Sequence, residues 1–163
     1  MEKVVLLLGS NLGISQEILQ KAIKLINDRV GVVEKASGIY QSKPWGFEHS
    51  NDFLNQVVLV NTQKSPEKLL DTILGIEGDL GRVREGGTYQ ARIIDIDILY
   101  YNEMVFDVEH LKIPHPLLQQ RKFTLIPLVE ILPDYIHPVF NKTNRELLEQ
   151  CSDNSEVIKR NES

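Results

Sequence analysis

Ile93-Ile94-Asp95-Ile96-Asp97-Ile98-Leu99-Tyr100-Tyr101 is the most informative run in the chain. β-Branched and aromatic residues dominate it, which predicts a strand. Successive strand residues point to opposite faces, so Ile94, Ile96 and Ile98 share one side while Asp95 and Asp97 share the other. One face suits a hydrophobic core, and the other carries two carboxylates.

Upstream of this strand, Ser65-Pro66-Glu67 has the signs of a helix start: a cap, a first-turn proline and an acid at the positive end of the dipole. Leu69, Leu70, Ile73, Leu74, Ile76 and Leu80 keep the helical period, and Gly81 ends it. A charged, glycine-containing loop over 81–92 leads into the strand. Phe53 to Val60 is another predicted strand, and residues 41–51 before it form a loop with two aromatics, Trp45 and Phe47. Val32 to Tyr40 reads as one strand, with Gly38 marking a bulge. Ser15 caps a helix whose apolar stripe is Ile18, Leu19, Ala22, Ile23, Ile26 and Val30, stopped at Gly31. Val4 to Leu8 is short and apolar, a strand buried on both faces.

The order strand, helix, strand, strand, helix, strand predicts an α+β fold: a ferredoxin-like βαββαβ core, an antiparallel sheet with two helices on one face. C-terminal additions follow, with short pieces around Met104 to Phe106 and Leu125 to Leu132, and a helix over Asn144 to Gln150. The polar tail from about residue 152 is expected to fray. With no repeat or linker, residues 1–163 are expected to form a single domain.

At 163 residues the chain is long enough for one real core, and 42% hydrophobic with 25% charged residues is a globular composition. A net charge of −5 argues against nucleic-acid binding through overall positive charge. Cys151 is the only cysteine, which rules out an intrachain disulfide and a cysteine-rich zinc site. The apolar run at the N-terminus is too short to span a bilayer and lacks a signal-peptide cleavage region. No membrane association and a cytoplasmic location are expected.

Asp95 and Asp97 stand roughly 6–7 Å apart along a strand that rises about 3.3 Å per residue. Such neighbouring carboxylates repel unless cations sit between them, and hard oxygen donors suit magnesium. A pair of ions there would clamp a triphosphate. Solvated acids on an exposed sheet face explain the two aspartates alone equally well. Arg82, Arg84, Arg92 and Arg121 shift the balance, because phosphoryl transfer needs cations for non-bridging oxygens. Any one of them alone would be read as pairing with a surface acid. No P-loop or kinase glycine loop is present, and Gly9 to Gly13 reads as a tight strand-to-helix turn. Phe53 and Asn55 share a strand face and suit a flat heterocycle, although a core phenylalanine and a strand-edge asparagine is the plainer reading. His115, between Pro114 and Pro116, is a structural histidine or a nucleotide contact. Trp45, Tyr89 and Phe123 are core candidates by default.

Taken together, Arg82-Val83-Arg84, Arg92 through Asp95-Ile96-Asp97-Ile98, Pro114-His115-Pro116 and Arg121-Lys122-Phe123 resemble the 6-hydroxymethyl-7,8-dihydropterin pyrophosphokinases. So do Leu8 to Gly13 and the segment from Tyr40 to Asn55, and the likeness covers roughly residues 4 to 135 in order and spacing. The resemblance implies transfer of the β,γ-diphosphate of ATP to the pterin hydroxymethyl group, with release of AMP, in folate biosynthesis. It assigns Asp95 and Asp97 to two Mg2+ ions, and Arg82, Arg92 and Asp97 to the transfer itself. Glu77, Arg84, Arg92, Ile98, His115 and Arg121 would contact ATP. Ser42, Trp45, Phe53, Asn55, Tyr89, Asp95 and Phe123 would hold the pterin, with Phe53 and Phe123 stacking on it. A monomer with small-molecule substrates is expected. Three departures bear on loop closure and stacking: Tyr89-Gln90-Ala91-Arg92 where relatives read Trp-Gly-Pro-Arg, Glu85 and Thr88 in place of basic residues, and Phe53 in place of tyrosine.

A non-catalytic ligand-binding module is the alternative on this fold. It would not need two acids on one face facing arginines. An RNA-recognition domain would want a basic sheet face with stacking aromatics, where this chain presents acids.

Overall fold

The computed structural model describes residues 1–10, 15–42, 53–81, 84–85, 88–89 and 94–160. Its elements run β1 (Glu2–Ser10), α1 (Ser15–Arg29), β2 (Gly31–Ala36), β3 (Tyr40–Ser42), β4 (Phe53–Thr62), α2 (Pro66–Gly81), β5 (Arg84–Glu85), β6 (Thr88–Tyr89), β7 (Asp95–Tyr101), β8 (Phe106–Val108), β9 (Leu111–Ile113), a 3-10 turn (Leu118–Gln120), α3 (Lys122–Ile131), α4 (Asn144–Gln150) and β10 (Val157–Lys159).

Among the described residues the main sheet has six strands in the order β10-β3-β4-β1-β7, with β2 also paired to β4. Each of these pairings is antiparallel. Counting β2 and β3 as one interrupted strand, this is the ferredoxin-like arrangement that the element order predicts.

The sheet is buried on both sides, as the continuous apolar run in β1 requires. Val4, Leu6 and Leu8 join Ile18, Leu19, Ala22 and Ile26 of α1 and Leu69, Ile73 and Ile76 of α2 in one core. Val5 and Leu7 point the other way, into a second core with Leu125 and Leu128 of α3 and Leu147 of α4. The C-terminal additions therefore cover the face that the two-helix core leaves bare. Gly31 ends α1 and also lets β2 pass close to β4: a Cβ there would lie 1.8 Å from the Asn61 carbonyl oxygen.

Three expectations are corrected. The single strand over 32–40 breaks at Ser37-Gly38-Ile39, because side chains take over the ladder there. The Val57 N–H donates to Ser37 Oγ at 3.0 Å, and Gln56 Nε2 donates to the Ser37 carbonyl at 2.7 Å. The loop over 81–92 contains a short ladder, with Arg84 opposite Tyr89 and Glu85 opposite Thr88. The tail expected to fray adds β10 to the outer edge of β3. No described helix is long and apolar enough to cross a membrane.

Candidate active site

In β7 the alternation holds: Ile94, Ile96 and Ile98 are buried, Asp95 is exposed and Asp97 is half-buried. The three isoleucines enter the core under α1 and α2, so the aspartates face the α3 side. The phase then changes. Pairing with β1 shifts register between Val5↔Tyr100 and Leu6↔Ile98, which leaves Leu99 as an extra residue. Leu99 and Tyr100 consequently both enter the α3-side core. Tyr101 returns to the other.

Register places the polar groups in one row. Gly9 of β1 is opposite Asn55 of β4 on one side and Asp95 of β7 on the other. In the next row Leu7 lies between Val57 and Asp97. Gly9 thus leaves the floor between carboxamide and carboxylate without a side chain, and a Cβ there would come within 3.2 Å of Asn55 Oδ1. Asn55 is buried, and its Nδ2 donates to the buried Ser42 Oγ at 3.0 Å. Phe53, half-buried, is opposite Ser42 and on the same face as Asn55.

The helix α3 packs on this same face of the sheet. Arg121 stands at its N-cap, and the guanidinium carbon lies 5.5 Å from the centroid of the half-buried Phe123 ring. Burial pulls the Arg121 guanidinium below its ordinary range, and the Asp97 charge acts in the opposite direction. His115 is half-buried, its backbone N–H bonded to the Leu99 carbonyl at 3.1 Å and its Nδ1 accepting the Leu117 N–H at 3.1 Å. Burial lowers its pKa, the Asp97 carboxylate raises it, and the Arg121 charge lowers it again, with a net downward shift. The ring is neutral at pH 7, and an accepting Nδ1 leaves the proton on Nε2.

Beside Asp97 a hollow of about 270 Å³ opens between α2, β7 and the β8–β9 hairpin. Leu70, Ile98, His110, Lys112 and His115 are among its walls. Sequence reasoning missed Leu70, His110 and Lys112, because only tertiary placement of the hairpin brings them beside Ile98. Gly9 was read as a turn residue, and its place in the row follows only from strand pairing. Glu77, expected at the nucleotide, is buried on α2, where Oε2 accepts the Ile96 N–H at 2.7 Å and ties the helix to the edge of β7. Trp45, Arg82 and Arg92 lie outside the described residues, as do the side chains of Arg84 and Tyr89.

The donor set fits magnesium. Among the described residues the acids form a pair rather than a cluster of three, and Mg2+ takes one or two carboxylates together with waters and substrate phosphates. Fold and site together define a ferredoxin-like α+β domain whose one face joins paired acids, a half-buried arginine and a buried carboxamide.

Comparison with known proteins gives the family. The profile of the 7,8-dihydro-6-hydroxymethylpterin-pyrophosphokinases (HPPK) matches residues 5–133. A 2-amino-4-hydroxy-6-hydroxymethyldihydropteridine pyrophosphokinase of Aquifex aeolicus is 42% identical over 146 residues, 90% of each chain. Its namesake in Porphyromonas gingivalis is 39% identical over 138 residues, covering 83% of this chain and 93% of that one. In fold, the chain is similar to the wild-type HPPK-DHPS of Plasmodium falciparum, with a TM-score of 0.76 at 19% identity, spanning 91% of this chain and 44% of that longer one. The chain belongs to the HPPK family.

Proposed function

We propose that this pyrophosphokinase of folate biosynthesis carries out its transfer on the face that holds Asn55, Gly9 and Asp95 in one row. That row carries the reading, since it sets a ring-recognising carboxamide and a cation-binding carboxylate two strand spacings apart, about 10 Å. A bicyclic pterin with its hydroxymethyl arm fits such a span, and the missing side chain of Gly9 lets it lie close to the sheet.

In this reading Asn55, held by Ser42, meets the ring edge, with Phe53 and Phe123 against the ring faces and Trp45 and Tyr89 completing the enclosure. ATP takes the hollow beside Ile98, with its triphosphate passing Asp97, His115 and Arg121. Asp95 and Asp97 would hold two magnesium ions, and magnesium bound there would supply positive charge to the polyphosphate. Arg121 and the other arginines, Arg82, Arg84 and Arg92, offer forked donors to the oxygens that gain charge as AMP departs. Neutral His115 gives an N–H to the nucleotide rather than a charge. Glu77 acts behind β7, fixing the edge beside which the nucleotide lies. The whole chain works as one domain, as a cytoplasmic monomer that takes no nucleic acid.

Incubating the pure protein with ATP, magnesium and 6-hydroxymethyl-7,8-dihydropterin is expected to give AMP and the pterin diphosphate in equal amounts. ADP as product, or no nucleotide turnover, would overturn the assignment.

A further inference from the structure

Much of the chain beyond α4 is exposed and polar, so apolar burial does little to hold it. Two sets of hydrogen bonds do. At one end Asp153 Oδ2 accepts the N–H of Lys122, the first residue of α3, at 3.0 Å. Its Oδ1 accepts the Ser155 N–H at 2.9 Å. Arg121 provides no side-chain cap for α3. Asp153 supplies the missing acceptor from elsewhere in the chain, with its negative charge at the positive end of the helix. Burial pushes the Asp153 carboxyl up, but the bonds from Ser155 and Lys122 outweigh it and hold the group below its ordinary range.

At the other end β10 pairs with β3, Val157 opposite Ser42, Ile158 opposite Gln41 and Lys159 opposite Tyr40. The Arg160 N–H extends the ladder to the Ile39 carbonyl at 2.8 Å. Lys159 Nζ sits 5.9 Å from the Tyr40 ring centroid and 3.6 Å from Glu130 Oε1, which also accepts the Tyr40 hydroxyl at 2.6 Å. β3 has only three residues, and without β10 its outer edge would be unpaired.

The two anchor points are the roots of the two walls of the pterin slot. Lys122 lies between Arg121 and Phe123, and Ser42 bonds Asn55. We propose that residues 153–160 are a strap that sets the width of this slot, with Asp153 as the positioning residue on the Phe123 side and β10 holding the Ser42 side. The proposal rests on the placement of the pterin between these walls.

Two full-length variants test it: Asp153→Ala, and Ile158→Pro. Ile158 is 54% exposed, so its replacement leaves the core intact. The Arg160–Ile39 bond makes Ile158 and Gln41 the next hydrogen-bonded pair, which proline interrupts. Each variant is expected to raise the KM for the pterin about tenfold, as small displacements of positioning groups do, and Ile158→Pro, which acts on β3 and not on Arg121, to leave the KM for ATP within about twofold. A lowered unfolding temperature with both KM values unchanged would overturn the strap, as would an equal rise in both for Ile158→Pro. Should either variant fail to give a wild-type circular dichroism spectrum, Asp153→Asn, which keeps one acceptor, is measured by the same KM comparison. Asn55→Ala separates the two readings. A pterin KM that rises in Asn55→Ala but not in the strap variants sinks the strap alone, and one unmoved by Asn55→Ala sinks the pterin placement.

Discussion

Asn55 and Asp95 face each other across Gly9, one on each neighbour of the same central strand. The interval between them is defined by a side chain that is not there. Gly9→Ala would put a methyl group 3.2 Å from Asn55 Oδ1, a contact that the carboxamide relieves only by turning. The fold should survive, because β1 keeps its pairing. The pterin KM should rise about tenfold or more while the ATP KM stays put. Equal pterin affinity in wild type and variant would contradict the row.

Asp97 shares the electrostatic surroundings of Arg121 and His115 and is half-buried. Asp97→Ala should lower kcat at least about a hundredfold. Wild-type protein should gain thermal stability from millimolar magnesium together with a non-hydrolysable ATP analogue, and the variant should lose most of that gain. Differential scanning calorimetry reads the second effect independently of turnover. A variant protected as well as wild type would remove Asp97 from cation binding.

Asn55 and Ser42 satisfy each other in a buried setting. Asn55→Ala strands the Ser42 hydroxyl and should cost about 1–2 kcal/mol in urea unfolding. The companion Ser42→Ala, which leaves the carboxamide in place, should cost less and weaken pterin binding by a smaller factor. The reverse ranking would show that Ser42, not Asn55, is the principal contact.

The buried residue His137 has its Nδ1 engaged as an acceptor by the N–H groups of Val139 and Phe140, and burial lowers its pKa. His115 is lowered too, chiefly by burial. The unfolded chain therefore takes up protons near the ordinary histidine value of 6.5 while the folded chain does not. Stability is full above that value and falls as pH drops below it, by at most about 1.4 kcal/mol per pH unit for each histidine. Urea midpoints from pH 7.5 to 5.5 should show the slope, and His137→Asn, which keeps an acceptor, should flatten it. A slope unaltered by that substitution would assign the acid sensitivity elsewhere.

Much of this architecture is legible in the sequence where one period governs a segment. The alternation from Ile94 to Ile98 announces both the strand and its two faces, and the stripe from Ile18 to Ile26 announces α1. The apolar run Val4 to Leu8 tells of two covered faces, though not of what covers the second. Elsewhere the decisive bond is long-range. Nothing local in Ser37-Gly38-Ile39 says that Gln56 and Val57 will claim the serine. Asp153 looks like one more polar tail residue until Lys122 arrives beside it. The extra residue at Leu99 is silent as well, because an apolar side chain fits either core.

That silent insertion divides β7 into two rulers joined out of step. On one side of the joint, pairing with Gly9 and Leu7 fixes where the carboxylates look. On the other, Tyr100 turns its hydroxyl to Asn144 and anchors the C-terminal helix. Removing Leu99 at the joint would return the strand to plain alternation, with Tyr100 still beside Val5 and the acids where they are. Such a molecule would give up one buried leucine and keep both its anchor and its aim.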